Sequence, residues 1–197
     1  MSLTITIISG SHRKDSGSRK VANYLSELCG SFPGAVPRII DLADEPVPLW
    51  HEDMWDETSD LAKHWRATTA PVLKGSDGFI LISPEWGGMV PAALKNFLLY
   101  CTPGDVGHKP ALICGVSAGM GGSYPISELR ASGYKNNRIC FLPEHLIFRN
   151  VGKFPEEDKY MQERSRVALQ LLTDYAQAMI PLRSQLSFDW KAYPNGM

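Results

Sequence analysis

Short, nearly unbroken apolar runs alternate along this chain with longer stretches in which apolar residues recur every three or four positions. "LTITIIS" (3–9) is rich in β-branched residues and reads as a buried strand, with "VPRIIDL" (36–42) a second. "DGFILIS" (77–83) and "ALICGVS" (111–117) hold continuous apolar runs, as expected of parallel strands covered on both faces. A fifth strand is expected within "RICFLPEHLIFRN" (138–150), where Pro143 blurs the boundary.

The intervening segments have helical spacing. Val21, Leu25 and Leu28 mark one helix, Leu61, Trp65 and Val72 another, and a third runs from Pro91 to about Cys101. A last helix is expected to open at "FPEEDKY", where Pro155 and the following acids suit a first turn, with Ala168, Leu171, Tyr175 and Met179 as its buried stripe. Five strands alternating with five helices imply an α/β fold, a doubly wound five-stranded parallel sheet with right-handed crossovers and helices on both faces. Such sheets bind ligands at the carboxyl ends of their strands, where strand order reverses. With order 2-1-3-4-5, the loops after strands 1, 3 and 4 meet there.

Composition narrows the function classes. A chain of 197 residues fits one domain, residues 1–197, with 181–197 expected as a C-terminal tail. Net charge is −1 with both signs scattered, which argues against general nucleic-acid affinity or a polybasic membrane patch. No apolar run approaches the ~20 residues of a membrane span. No signal-peptide pattern opens the chain, and Cys29, Cys101, Cys114 and Cys140 form no CxxC pair. Reduced thiols in a cytoplasmic protein are therefore expected. The five histidines show no metal-ligand spacing.

The three loops at the carboxyl ends are the unusual part. "SGSHRKDSGSRK" (9–20) leaves the first strand where a helix begins, and a helix N-terminus offers unpaired N–H groups and partial positive charge to an anion. Ser9, Ser11, Ser16 and Ser18 add hydroxyls and Arg13 a forked cation. His12 and Lys14 are expected to face solvent. The loop lacks GxGxxG and GxxxxGK[ST], so it suits a single terminal phosphate better than a pyrophosphate or a nucleoside triphosphate. A polar turn with a serine cap explains the same residues.

"SPEWGGMVPAALKN" (83–96) ends a buried strand at Pro84 and places Trp86 at a loop tip. Gly87 and Gly88 allow backbone to approach a flat ligand, and Trp86 can wall a planar ring or instead plug the edge of the core. Glu85 fits an orienting or capping role better than that of a general base. "SAGMGGSYP" (117–125) supplies Ser117, Gly119, Gly121 and Gly122 as a backbone-rich rim, and Pro125 suits the next helix start. Together the loops describe a phosphate pocket joined to a site for a flat polar heterocycle, a mononucleotide such as FMN.

These motifs resemble those of the NADPH-dependent FMN reductase family of flavodoxin-like proteins, which includes quinone, azo-dye and chromate reductases. "GSHRKDS" (10–16) is similar to the family's GSxRxxS, "PEWGGMVPAALKN" (84–96) to PE[YW]NxxxPxxLKN, and "SAGMGG" (117–122) to SxGxxGG. The resemblance implies a flavodoxin-like fold with FMN as cofactor and NADPH or NADH as electron donor. It places the FMN phosphate on Ser11, Arg13, Ser16 and Ser18. The isoalloxazine would lie along Pro84, Glu85, Trp86 and Gly87, with Ser117, Gly119 and Gly122 opposite. Gly87 stands where the family usually has asparagine, and the third loop is one residue shorter between its glycines. The implied activity is ping-pong hydride transfer from NAD(P)H to a small acceptor, with no catalytic side chain. A flavin-binding electron-transfer protein with little turnover is the alternative. A homodimer or homotetramer is implied too, and the apolar second half of "LKNFLLYC" agrees with a covered helix face.

Overall fold

The computed structural model describes residues 2–187 and 192–193. Five strands, β1 (Leu3–Ser9), β2 (Ala35–Asp41), β3 (Gly78–Pro84), β4 (Pro110–Val116) and β5 (Cys140–Phe148), form one sheet in the order β2-β1-β3-β4-β5. Every neighbouring pair is parallel. The central β3 and β4 are buried at every position, so their sequences carry no polar alternation. The sheet is therefore the flavodoxin-like one expected.

Alternation along the strands divides the core in two. Ile5 and Ile7 face α1 (Gly17–Gly30) and α7 (Lys159–Gln185), meeting Val21, Leu25, Leu169 and Leu172. Ile8, Phe79 and Leu81 face the opposite layer, α2 (Asp60–Ala67), α3 (Thr69–Lys74), α4 (Ala92–Tyr100) and α6 (Tyr124–Ser132). A four-residue helix, α5 (Pro103–Val106), precedes β4.

Some details differ from expectation. The segment around Leu61 and Val72 is two helices broken at Thr68. Pro71 lacks the N–H that would bond back across that break. Pro143 lies inside β5, an edge strand, where the register slips from Ala111–Phe141 to Ile113–His145. The last helix starts at Lys159 rather than at Pro155, with Asp158 as N-cap accepting from the Met161 N–H at 2.9 Å. Its buried stripe is Ser165, Ala168, Leu169, Leu172, Thr173 and Ala176, so Leu171 and Tyr175 lie outside. Small residues face the sheet because the helix packs directly on it. α7 also runs through Pro181 to Gln185, making the start of the expected tail helical. Most of "SFDWKAYPNGM" (187–197) falls outside the described residues.

Candidate functional site

The loops after β1, β3 and β4 meet at one end of the sheet. Gly10 opens the first, and its N–H donates to Ile82 O at 2.8 Å. A Cβ there would stand 2.6 Å from that backbone oxygen, so the approach of the first loop to β3 requires glycine. Ser16 caps α1 by accepting from Arg19 N at 3.1 Å, and Ser11 Oγ accepts from Arg13 N at 3.2 Å. Each hydroxyl keeps its hydrogen to donate elsewhere. The first turn of α1 holds no acid. Arg13 and Lys14 are exposed.

Arg19 is directed elsewhere, to Asp41 at 3.0 Å and Asp44 at 2.7 Å, fastening α1 to the end of β2. Its guanidinium holds the Asp44 carboxyl below the usual range, chiefly through their hydrogen bond. Ser9 and Ser18 are fully buried, and neither hydroxyl has a partner among the described residues. Ser9 continues the alternation of Ile5 and Ile7 and so faces the α1 side of the sheet. An unpaired buried hydroxyl costs about 1–3 kcal/mol. Two such groups, at a helix N-terminus whose first turn holds no acid and beside Arg13 and Lys14, fit a phosphate monoester as the missing acceptor.

The second loop is a tight hairpin. Trp86 and Met89 exchange backbone hydrogen bonds of 3.1 and 3.0 Å, with Gly87 at φ +57° and Gly88 at φ +76° between them. Two successive positive φ values are what a type I′ turn requires. Trp86 is half-buried at the tip, and its indole meets the imidazole of His12. His12 is exposed as expected, yet it packs on the second loop. Pro84 closes β3 and is buried.

The Glu85 carboxylate points to the third loop, accepting from Gly122 N at 2.7 Å and Tyr124 N at 3.3 Å. In that loop Ser117 Oγ accepts from Gly119 N at 3.1 Å. Gly122 has φ +102°, and its carbonyl packs where a side chain at Gly115 would stand. Space around Gly119 is open. Arg149, just after β5, donates from Nε to Met120 O at 2.7 Å and Gly121 O at 3.2 Å.

Three further residues shape the site beyond those expected to hold the ligand. Asn96, in "LKN", accepts from Trp50 N at 2.8 Å and donates to Pro48 O at 2.8 Å, drawing residues 47–50 over α4. A cavity of 250 Å³ between that segment, His12 and the start of α4 opens beside the loops. Glu128 on α6 accepts from Val90 N at 2.7 Å and pairs with Lys95. Arg149 is the third. A larger cavity, 440 Å³, lies between α4 and α6 behind the second loop. Its lining is mostly apolar and it holds neither the helix N-terminus nor the orphaned hydroxyls, which leaves the loop cluster as the candidate site.

Fold and topology are those of a flavodoxin-like α/β protein, with the loop cluster at the switch point between β1 and β3. Residues 3–152 match the family model described as NADPH-dependent FMN reductase. This chain belongs to that family, whose members are FMN-dependent NAD(P)H oxidoreductases. It is 30% identical to an NADPH azoreductase of a Bacillus species over 131 residues, covering 66% of this chain and 68% of the relative. It is 28% identical to a quinone reductase of Pseudomonas putida over 183 residues, 87% and 91% of the two chains. A solved oxidoreductase from Corynebacterium diphtheriae has the same fold, with TM-score 0.69 at 17% identity, covering 90% of this chain and 98% of that one.

Proposed function

We propose that the first loop seats the FMN phosphate on Ser11, Arg13, Ser16 and Ser18, with Ser9 beneath. The ring lies between the second loop (Pro84, the backbone of Glu85, Trp86, Gly87, Gly88) and the third (Ser117, Gly119, Gly121, Gly122). The acceptors are quinones or azo compounds, as the names of the relatives indicate. The observation carrying this reading is the pair of orphaned hydroxyls, Ser9 and Ser18, at a helix N-terminus whose first turn holds no acid.

Bound FMN supplies hydride acceptance from NADPH or NADH and onward reduction of the acceptor. The protein binds and orients. Ser11 and Ser16 accept from backbone and donate outward, Arg13 adds charge, and Trp86 walls the ring from a turn pinned by its own hydrogen bonds. No side chain is assigned a proton-transfer step. Titrating the protein with FMN, then adding NADPH and a benzoquinone without oxygen, tests the whole reading. Saturable flavin binding, bleaching by NADPH and recovery of colour by the quinone are expected. A bound flavin that neither NADPH nor NADH bleaches would remove the reductase assignment.

The same reading includes a homodimer or homotetramer in the cytoplasm. The four cysteines are free, three of them buried, as suits a reducing compartment. Among the described residues no helix is long and apolar enough to cross a membrane. Leu99 on α4 is 66% exposed at the edge of the 440 Å³ groove, where a second copy would cover it. Sedimentation at monomer mass at micromolar concentration rules that assembly out.

A further inference from the structure

α6 opens at Tyr124 with an end that its own residues leave uncapped. Ser123 makes no side-chain cap bond, and the first turn holds no acid. The carboxylate that meets this end arrives from another loop. Glu85 Oε2 takes the N–H groups of Gly122 at 2.7 Å and Tyr124 at 3.3 Å. On the other side, Arg149 holds the carbonyls of Met120 and Gly121. The third loop is thus gripped by an anion on its N–H side and a cation on its carbonyl side. Gly121 completes the fit, since a Cβ there would stand 2.6 Å from Glu85 Oε1.

We propose that Glu85 is a positioning residue: its carboxylate caps α6 from the second loop, sets the third loop's backbone and fills the α6 N-terminus with a fixed negative charge. Two consequences follow from charge alone. Two helix N-termini border the cluster, and with one already filled, an anionic ligand is directed to α1. Electron density added to a ring between the second and third loops then meets a neutralised helix end instead of a positive one.

The second consequence rests on the FMN reading, and the test separates the two. In ligand-free protein, Glu85→Gln keeps the size and one acceptor but loses the charge. Amide exchange at Gly122 and Tyr124 is expected to rise about tenfold, with β1 unchanged. In FMN-loaded protein the same variant is expected to hold the reduced cofactor about tenfold more tightly relative to the oxidised one, about 30 mV upward for a two-electron couple. Glu85→Ala should weaken FMN binding tenfold or more. Unchanged exchange at both amides in ligand-free Glu85→Ala overturns the capping role, and an unchanged potential in Glu85→Gln overturns the electrostatic one. Failure of the wild-type protein to bind FMN removes the cofactor reading while the exchange experiment still decides the cap.

Discussion

The imidazole of His12 stands edge-on to the indole of Trp86, with ring centroids 4.6 Å apart and planes at 83°. The pair joins the first loop to the second, so the proposed phosphate seat and the proposed wall of the ring are placed as one unit. Edge-to-face aromatic pairs contribute about 0.5–1.5 kcal/mol beyond their buried area. Trp86→Ala is expected to weaken FMN binding at least tenfold and His12→Ala a few-fold. The double variant should be scarcely worse than Trp86→Ala, because His12 acts through the ring it touches. Fluorimetric titration of the four proteins decides; strictly additive losses would show that the two rings act separately.

Gly87 occupies the position where the family motif has asparagine, and the turn explains the exchange. At φ +57° the residue is in the left-handed region, which asparagine tolerates and β-branched residues resist. A Cβ there meets only Met89 Cε at 3.7 Å. Gly87→Asn should leave thermal stability nearly unchanged, whereas Gly87→Val should cost about 1–2 kcal/mol. Equal losses in the two variants, read by thermal melts, would mean that side-chain volume and not backbone conformation governs the site.

At the far end of the sheet, Lys109 is buried and its Nζ donates to the carbonyls of Leu73 and Asp105 at 2.8 Å and of Lys74 at 2.9 Å. Burial, with Arg183 adding repulsion, brings its pKa down to about 8. Between about pH 8 and the ordinary lysine value of ~10.4 the unfolded chain therefore binds more protons than the folded one. Stability from this group rises with pH across that window and is lost as pH falls through 8. The magnitude is on the order of 3 kcal/mol, from ~1.4 kcal/mol for each pH unit that separates the folded and unfolded values. Urea unfolding of wild type and Lys109→Met should show a stability difference that grows in favour of wild type from pH 8 to 10. A constant difference would place the native pKa near the unfolded one.

The sheet was legible because its strands are continuous apolar runs. β1 falls on 3–9 as read, and β2, β3 and β4 lie one residue from their expected bounds. The rotation of α7 was not, because Leu171 and Tyr175 form a second apolar stripe beside the one containing Ala168, Leu172 and Ala176. The larger side chains, Leu171 and Tyr175, lie on the more exposed face. In the site, glycines and serines at strand ends announced the loops, since conformational and donor requirements leave their mark on local sequence. Glu128 and Arg149 left none, because each acts on backbone far away in the chain, as in the 38-residue separation between Val90 and Glu128; Asn96 closes a quoted loop motif, but its distant partners Trp50 and Pro48 left no mark there. Such long-range side-chain bonds follow no period.

Ser18 carries a prediction with opposite signs in two states. In ligand-free protein its hydroxyl is fully buried without a partner among the described residues, so Ser18→Ala removes an unmet hydrogen-bonding group. That change should be neutral or stabilise by about 1 kcal/mol. On the proposed reading FMN supplies the acceptor, and the same substitution should weaken binding about tenfold. Arg13→Ala acts differently, leaving the fold untouched because its side chain is exposed and makes none of the ion pairs found among the described residues. It should weaken FMN about ten- to a hundredfold yet leave riboflavin, which lacks the phosphate, unaffected. Thermal melts of the ligand-free proteins and parallel titrations with the two flavins separate these effects. If Arg13→Ala weakened riboflavin as much as FMN, the first loop would be contacting the ring and the phosphate seat would lie elsewhere.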